Sequence, residues 1–568
     1  MYTSQAHPEH RVGTAQGPAQ LRIHLLGPHP ILNHFLGRLT LARIVRSCLG
    51  TARESILDHA QTLTALLHNI LLSPGPLYRI AEWAHPIEPG ALELSAAEQA
   101  ALNDDRVART LDALASERSR SLFFRLALHL IRDFALDVSR IHQDTTSVTF
   151  HGQYRGAQQS PSITQGINKD HRPDLKQLVF GVSVSADGAV PLLHEVHSGN
   201  RTDDTLHRSN LDRLRELLGT GHFIYTADSK LCTAKNLTHI VEHGGQFVTL
   251  LPRTRSEDKE CRERLRQAPA RWRRIYVQPN GRQHGAPPAV YETTLAGPQR
   301  TKEGYRLIWL RSSQKAAHDA AARSRALQAA AEELVALGAR LNRGPLRRRG
   351  AIVKAAAAVL KRHGCEGLLR TVLQRQTRLS VRHLRRGRPR AGDPVREERR
   401  EFYRLEFAPD EEGLRRQART DGVFPLVTNL PVRPYSKKEV LLIYKYQPYV
   451  EKRHALLKSE LEVAPVYLKR PQRVVGLLHA HFLAMVLEAL IERTVRLAML
   501  REGIESLPIL PEGRATRTPT APRILEKFAA VSWYEFQRGD ETVTFPTEIT
   551  VLQKQLLHLL GMDPRVYQ

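Results

Sequence analysis

The sequence is poor in the features that mark secreted and membrane proteins. Its four cysteines (Cys48, Cys232, Cys261 and Cys365) are scattered and form no CxxC pair, which argues against a disulfide framework and a zinc module. The first twenty residues are polar and lack the apolar stretch of a secretory signal. The longest strongly apolar run without charge, 474–487, is too short to span a bilayer. We therefore expect reduced thiols in a cytoplasm and no membrane partner.

Acidic residues are also scarce relative to basic ones. The 568 residues include 84 Lys and Arg against 58 Asp and Glu, so the formal net charge is +26. A chain this basic usually has a polyanionic partner, and nucleic acid is a better candidate than an anionic membrane surface. The length predicts two to four structural units, each able to bury a core.

The first part of the chain has a helical pattern. We expect a flexible tail over residues 1–29 and an all-helical region over 30–138, in which Ser95 and Glu98 have the spacing of a capping box. A compact, basic, helical region at this place fits a DNA-binding module and a plain helical scaffold equally well.

The hydrophobic period changes from helical to strand-like at residue 139. The stretch "RIHQDTTSVTFHGQY" alternates β-branched and aromatic residues with polar ones, and two further apolar runs join around Asp187 and Gly188, a strong hairpin signal. Two helices and two buried-type strands follow up to residue 251. The predicted order β-β-β-α-β-α-β indicates a mixed sheet with flanking helices.

The pattern then loosens for about 170 residues before a strand at 421–430 restores it. A strongly basic stretch, 381–400, carries eight arginines against three acids. Within it, Arg386, Arg388 and Arg390 lie in "RRGRPR", a narrow cationic segment that suits an A·T minor groove. The alternative is a solvated run of charge. A helix over about 472–500 is apolar on nearly every face and is predicted to be central to the core.

Three acids stand out by their positions. Asp144 lies in the first strand of the predicted sheet, Asp228 ends the fourth, and Glu451 opens a helix after the long interruption. The first and fourth strands of this order are commonly neighbours, so the two aspartates are expected side by side. Clustered carboxylates repel unless cations lie between them, and oxygen ligands without His or Cys favour Mg²⁺ or Mn²⁺. Two such ions can support phosphodiester cleavage and joining.

With these residues, the sequence resembles bacterial insertion-sequence transposases of the DDE type, in the branch with a Tyr-x2-Arg-x3-Glu-x6-Lys signature. The signature reads Tyr444, Gln447, Glu451 and Lys458 here, with glutamine in place of arginine. The resemblance also covers "QDTTSVTF", "NKDHRPDLKQLVFGVSVSADGAVPL", "GNRTDD", "TADSKL", "DGVFPLVTNL" and, near the front, "LLHNILLSPGPLYRIAEWA".

The resemblance implies an α/β fold: an RNase H-like mixed β-sheet core with flanking helices, an N-terminal helical region and a large insertion before the last catalytic helix. The core would occupy 139–251 and 421–510, the insertion 252–420, and a C-terminal region 511–568. Two Mg²⁺ or Mn²⁺ ions would be held by Asp144, Asp228 and Glu451. Tyr444, Gln447 and Lys458 would contact DNA at the transposon end, in a homodimer that pairs two ends.

The function implied is a DNA transposase that cleaves transposon ends and transfers their 3′ ends to target DNA. Two alternatives stay open. One is a catalytically inactive DNA-binding descendant with a repressor or architectural role. The other is a metal-dependent nuclease without strand transfer. The complete set of acids favours catalysis over the binding-only alternative.

Overall fold

A computed structural model of the protein describes residues 19–50, 55–152, 154, 161–169, 172–279, 287–384, 388, 392, 394–461, 463, 468–538 and 541–567. The chain divides into two compact units. The first unit comprises Met1–Phe247 and Ile443–Gln568, and the second comprises Val248–Leu442. All four cysteines are free thiols, as expected.

The first unit begins with one strand and seven helices. Two of the helices start with a full capping box, at Asp58 and, as predicted, at Ser95, where side chain and backbone satisfy each other's amides. The elements are β1 (Ala19–Leu25), α1 (His29–Arg38), α2 (Leu41–Leu49), α3 (His59–Leu72), α4 (Ile80–Ala84), α5 (Ala96–Ala100), α6 (Asp104–Leu114) and α7 (Ser119–Asp133).

A four-stranded arrangement follows, and its order matches the prediction. The elements are β2 (Arg140–Phe150), β3 (Lys176–Ser185), β4 (Pro191–Ser198), α8 (Asp203–Leu218), β5 (Ile224–Ala227), α9 (Ala234–Glu242) and β6 (Gln246–Leu250), where the first unit ends. The strands lie in the order β4-β3-β2-β5. Strands β2, β3 and β4 pair antiparallel, whereas β2 and β5 pair parallel. The predicted neighbours, the first and fourth strands, therefore lie side by side.

The second unit combines an antiparallel sheet, a helical pair and a long ribbon. Its elements are α10 (Ser256–Gln267), β7 (Arg273–Gln278), β8 (Ala289–Thr294), β9 (Arg306–Ser312), α11 (Ser313–Ala339), α12 (Arg349–His363), β10 (Leu369–His383), β11 (Val395–Pro409), α13 (Glu411–Ala418) and β12 (Val423–Thr428). The last three residues of β6 start a sheet in the order β6-β12-β9-β8-β7. Strands β10 and β11 pair only with each other, over fifteen residues each.

The chain then returns to the first unit. Its remaining elements are α14 (Lys437–Tyr444), α15 (Pro448–Ser459), α16 (Pro471–Glu502), α17 (Ala521–Glu526), β13 (Ser532–Arg538), β14 (Glu541–Pro546) and α18 (Val551–Leu560). Helix α16 is buried over most of its length, as predicted. In the described part of the chain it is the one helix long and apolar enough to cross a membrane, and 94% of its most apolar window is buried within the protein.

Glycine allows α16 to approach α6 closely. A Cβ atom on Gly476 would stand 2.1 Å from the carbonyl oxygen of Leu111, a backbone atom that cannot move aside easily. Any side chain at position 476 would therefore push the two helices apart.

Two predicted boundaries need correction. Residues 19–25, assigned to a flexible tail, form β1, which pairs antiparallel with β13. The partner strand lies more than 500 residues later, so the local sequence gives no sign of the pairing. The rest of that tail, 1–18, lies outside the described residues. The strand predicted at 421–430 to reopen the core is β12, and this division places it in the second unit.

Candidate active site

Two aspartates belong to neighbouring strands of the first unit. Strand β2 runs parallel to β5, with His142 opposite Thr226. Asp144 and Asp228 follow these residues by two positions each, so the register, continued past the end of β5, gives them neighbouring strand positions. Asp228 is the first residue after β5, at the carboxyl end where α/β sheets commonly present their functional groups.

Asp144 is held by two basic side chains. Its Oδ2 lies 3.5 Å from Nδ1 of His454, and its Oδ1 lies 3.4 Å from Nζ of Lys169. The same oxygen, Oδ1, accepts the backbone N–H of Thr145 at 2.8 Å. Burial by itself raises the pKa of Asp144, but the His454 hydrogen bond and the charge of Lys169 outweigh it and hold that pKa below its ordinary value. The carboxyl group is therefore ionised near neutral pH.

Lys169 joins the strand to the loop before β3. Its ammonium group donates to the carbonyl oxygen of Thr145 at 2.6 Å and to the Thr145 hydroxyl at 2.8 Å, beside the contact to Asp144. A positive charge is thus seated against three oxygen atoms from two consecutive residues of β2.

Asp228 stabilises the start of a short turn. Its carboxylate accepts the backbone N–H of Lys230 at 2.9 Å and so caps the 3₁₀ turn Ser229–Leu231. The cap fixes the orientation of the side chain at the end of β5. The capping role and a place at a reactive centre are compatible, because a carboxylate has four lone-pair positions.

Gln447 fixes the start of the helix that carries Glu451. Pro448 occupies the first helical position, as predicted, since proline has no N–H to leave unsatisfied there. The Gln447 side chain is only 4% exposed. Its Nε2 donates to the carbonyl oxygen of Gln143 at 2.8 Å, and Nδ1 of His142 donates to its Oε1 at 3.1 Å.

This geometry corrects the predicted role of Gln447. Both ends of its amide are engaged with β2 in a buried position, so the side chain offers no surface to DNA in this structure. Its contacts instead dock α15 one residue before Asp144. Glutamine suits this neutral, buried site, where the guanidinium of the family signature would need an anionic partner.

Further buried contacts hold α15 in place. Arg453 is 5% exposed and donates to Glu492 at 2.9 Å and to the carbonyl oxygens of Ala189 and Gly188 at 3.0 and 3.1 Å. The helix is thereby tied to α16 and to the turn between β3 and β4. Glu451, in its first turn, is exposed, and Lys458, in its last turn, is half-buried.

The charges of all three acids act on Tyr444. It is the last residue of α14, so it approaches the site from a helix. Burial, followed by the charges of Asp228, Glu451 and Asp144, raises the pKa of its hydroxyl well above the ordinary value. Tyr444 therefore remains a neutral hydrogen-bond donor with three carboxylates in its surroundings.

The residue types at this place fit a hard divalent cation. Asp144, Asp228 and Glu451 supply only oxygen donors, which Mg²⁺ and Mn²⁺ prefer, and the ammonium of Lys169 already sits against oxygens of Asp144 and Thr145. Across the residues that the structure describes, no three His, Cys, Asp or Glu side chains are already arranged as a metal-binding group. Assembly of a metal site would thus need movement of at least one acid.

Of the three predicted arginines in the "RRGRPR" segment, the structure describes Arg388. Arg388 is exposed and belongs to the second unit, while Arg386 and Arg390 fall outside the described residues. Sequence reasoning missed Lys169, His454 and Arg453. His454 follows Glu451 by three residues, so helical spacing could have placed it on the same side of α15.

Comparisons with known proteins assign little. Residues 21–128 match a protein family described as a domain of unknown function (DUF4277). No curated protein matches the chain. A cryo-EM structure of a piggyBac transposase synaptic complex with hairpin DNA is similar at 12% identity, over 52% of this chain and 63% of that one, with a TM-score of 0.26. A likeness this small carries no argument about fold or activity.

Proposed function

We propose that the protein is a DNA transposase that cleaves phosphodiester bonds at transposon ends and transfers the freed 3′ ends to target DNA. The observation that carries this proposal is the register of β2 and β5, in which His142 lies opposite Thr226, two positions before Asp144 and Asp228 respectively. Helix α15, which bears Glu451, is docked on β2 next to Asp144. The net charge of +26 suits a nucleic-acid substrate.

Each residue has a distinct role in this proposal. Asp144, Asp228 and Glu451 would hold two Mg²⁺ or Mn²⁺ ions, which supply activation of the attacking oxygen and stabilisation of the leaving oxygen. Gln447, Arg453 and His454 position α15 and the Asp144 carboxylate. Tyr444 is a neutral donor suited to orienting a phosphate oxygen. Lys458 offers a positive charge two helical turns beyond Glu451, where it suits DNA phosphate.

The decisive experiment measures cleavage and joining on the same DNA. Purified protein is incubated in Mg²⁺ with labelled DNA from the ends of the element that encodes it and with a target plasmid. We expect end cleavage followed by joining of the 3′ ends to the plasmid, and loss of both with Asp144→Asn. Cleavage without joining would support the nuclease, and binding without cleavage would support the inactive descendant.

The assembly proposed is a homodimer that pairs two DNA ends. Sedimentation of the protein with and without end DNA tests this. Two chains per complex, each with one DNA end, is the expected composition, and a stable one-chain complex that joins ends would contradict it.

A further inference from the structure

Strands β10 and β11 form a ribbon that reaches out from the core of the second unit. Fifteen residues in each strand pair antiparallel, which corresponds to a length of about 50 Å. The proximal half is anchored, because Leu369, Leu373, Tyr403, Leu405 and Phe407 pack with residues of α11 and α12 or the turn between them. Over 374–384 and 394–402, none of the side chains that the structure describes is buried.

The part of the ribbon over 374–384 and 394–402, called the distal ribbon, needs a partner to stabilise it. Two strands without a hydrophobic face are marginal in water. Leu379 and Val381 are 62% and 56% exposed, so no core forms there. The register also places Arg378 opposite Arg400 and Arg382 opposite Arg396. Like charges at directly opposed positions of a strand pair are destabilising, and a polyanion would remove that penalty.

The distal ribbon concentrates its charge on one face. Successive side chains of a strand point to opposite faces, so the even-numbered positions of 374–382 and 396–404 share one face of the ribbon. We call it the arginine face. It has Glu398 as its one acid and a net charge of +4. Its arginines are Arg378, Arg382, Arg396, Arg400 and Arg404. The odd-numbered positions form the neutral face, where Arg375 and Arg399 are matched by Glu397 and Glu401.

We propose that this ribbon is an arm that binds duplex DNA, with its arginine face along the phosphates of a groove. The major groove is wide enough to admit a two-stranded ribbon. This inference rests on the proposed function only for the choice of DNA as the partner. DNA binding by the arm does not require catalysis.

An anionic membrane fits the ribbon less well. Leu379, Val381 and Val395 are exposed on the neutral face and would suit lipid. However, both edges of a two-stranded ribbon carry unpaired backbone N–H and C=O groups, which the hydrocarbon region cannot satisfy. In a DNA groove those edges stay in contact with water and phosphate.

The test compares two double variants with the same change in charge. Arg396→Gln with Arg400→Gln alters the arginine face, and Arg375→Gln with Arg399→Gln alters the neutral face. Each pair is made in the full chain carrying Asp144→Asn, without divalent metal, so that binding is measured apart from cleavage. Thermal unfolding checks that every variant is folded.

Affinity for a 40-base-pair duplex is measured by fluorescence anisotropy over a range of salt concentrations. We expect the arginine-face pair to weaken binding at least about tenfold and to lower the slope of log affinity against log salt by about 2, since each phosphate contact contributes about 0.9. The neutral-face pair should change the affinity less than about threefold. Equal losses from the two pairs, or no loss from the arginine-face pair, would overturn the proposal.

A ribbon that bound lipid instead of DNA would give a different pattern of binding losses. Binding to phosphatidylglycerol vesicles that is lost with Leu379→Ser and Val381→Ser, together with unchanged DNA affinity in the arginine-face pair, would also overturn it. The binding assay needs no cleavage. It can therefore distinguish a protein that lacks transposase activity but binds DNA through its ribbon from a transposase whose ribbon does not bind DNA.

Discussion

The candidate site of the first unit and the ribbon of the second place their charged and polar groups in opposite ways. In the first unit, the groups around the acids are buried and paired, as in the contact of Arg453 with Glu492 and the amide bonds of Gln447. On the ribbon, Arg396, Arg399 and Arg400 are exposed. A reactive centre needs fixed positions, which buried partners impose, whereas a surface that follows a polyanion needs only charge density.

The largest expected effect separates chemistry from binding. Asp228→Asn keeps the shape and the turn cap but removes a negative charge beside Asp144. We expect cleavage of end DNA in Mg²⁺ to fall at least about a thousandfold, because a metal ligand is lost, while DNA affinity changes less than about threefold. Single-turnover cleavage and anisotropy measure the two quantities.

The matched control is Asp105→Asn, an exposed acid of α6 that accepts a hydrogen bond from Arg109 at 2.6 Å. It should leave the cleavage rate unchanged within about twofold. A similar loss from both substitutions would mean that net charge, and not the position of Asp228, governs the rate.

The second prediction compares one glycine from each unit. Gly476→Ala in α16 should lower the free energy of unfolding by about 3 kcal/mol, because the new methyl group meets the Leu111 carbonyl oxygen. Gly338→Ala in α11 has open space around it and should raise stability by about 0.5 kcal/mol, because alanine favours a helix. Urea unfolding measures both, and equal effects would contradict the close packing of α6 and α16.

The third prediction compares two glutamines. Gln447→Ala leaves the His142 N–H and the Gln143 carbonyl oxygen without partners in a buried place, so we expect a loss of about 2 kcal/mol of stability and slower cleavage. Gln374→Ala removes an exposed bond to Glu406 in the second unit and should change stability by less than about 0.5 kcal/mol. If Gln447→Ala weakened DNA affinity with no loss of stability, the predicted DNA contact would be restored.

The fourth prediction compares how the two units respond to pH. Burial lowers the pKa of His29 and of His479 to about 4, and of their partners His68 and His194 well below the ordinary value. These imidazoles are neutral when folded but take up protons near pH 6.5 when unfolded. Their contribution to stability is therefore complete above about pH 6.5 and is lost as pH falls towards 4.

The second unit should keep its stability over the same range of pH. No histidine of the second unit whose side chain the structure describes is buried. The hydrogen bond from Arg255 lowers the pKa of Glu257 to about 2, so stability from this acid is lost only as pH falls from about 4.5 towards 2. Hydrogen exchange at pH 7 and pH 5, corrected for intrinsic rates, should show lost protection in the first unit alone. Parallel loss in both units would contradict the comparison.

Much of the fold was predictable where local pattern and packing agree. The order of elements from β2 to β6 follows from hydrophobic period and turn residues, and Gly219 ends α8 in the left-handed conformation expected of a helix stop. The buried α16 was equally clear. Strand β1 and the ribbon were not predicted. Residues 19–25 do alternate apolar and polar side chains, but their partner strand lies more than 500 residues later in the sequence, and the distal part of the ribbon has no buried face.

The candidate site was predictable only in part. The acids could be found because their places follow from the strand order. The contacts of Asp144 with Lys169 and His454 join segments 25 and 310 residues away and leave no local signal. The predicted metal set and the DNA contacts of Tyr444, Lys458, Arg386, Arg388 and Arg390 stay predictions.

The sequence by itself determined the periodicity of the elements, the basic charge and the three acids, because these depend on residue type and near neighbours. Only the tertiary structure decided which groups the Gln447 amide contacts, what holds Asp144 ionised, and that residues 369–383 and 395–409 pair as a two-stranded ribbon. The physical reason is that burial and long-range pairing set the free energy of a polar group. The same glutamine amide that could contact DNA on a surface serves, once enclosed, to dock a helix on a strand.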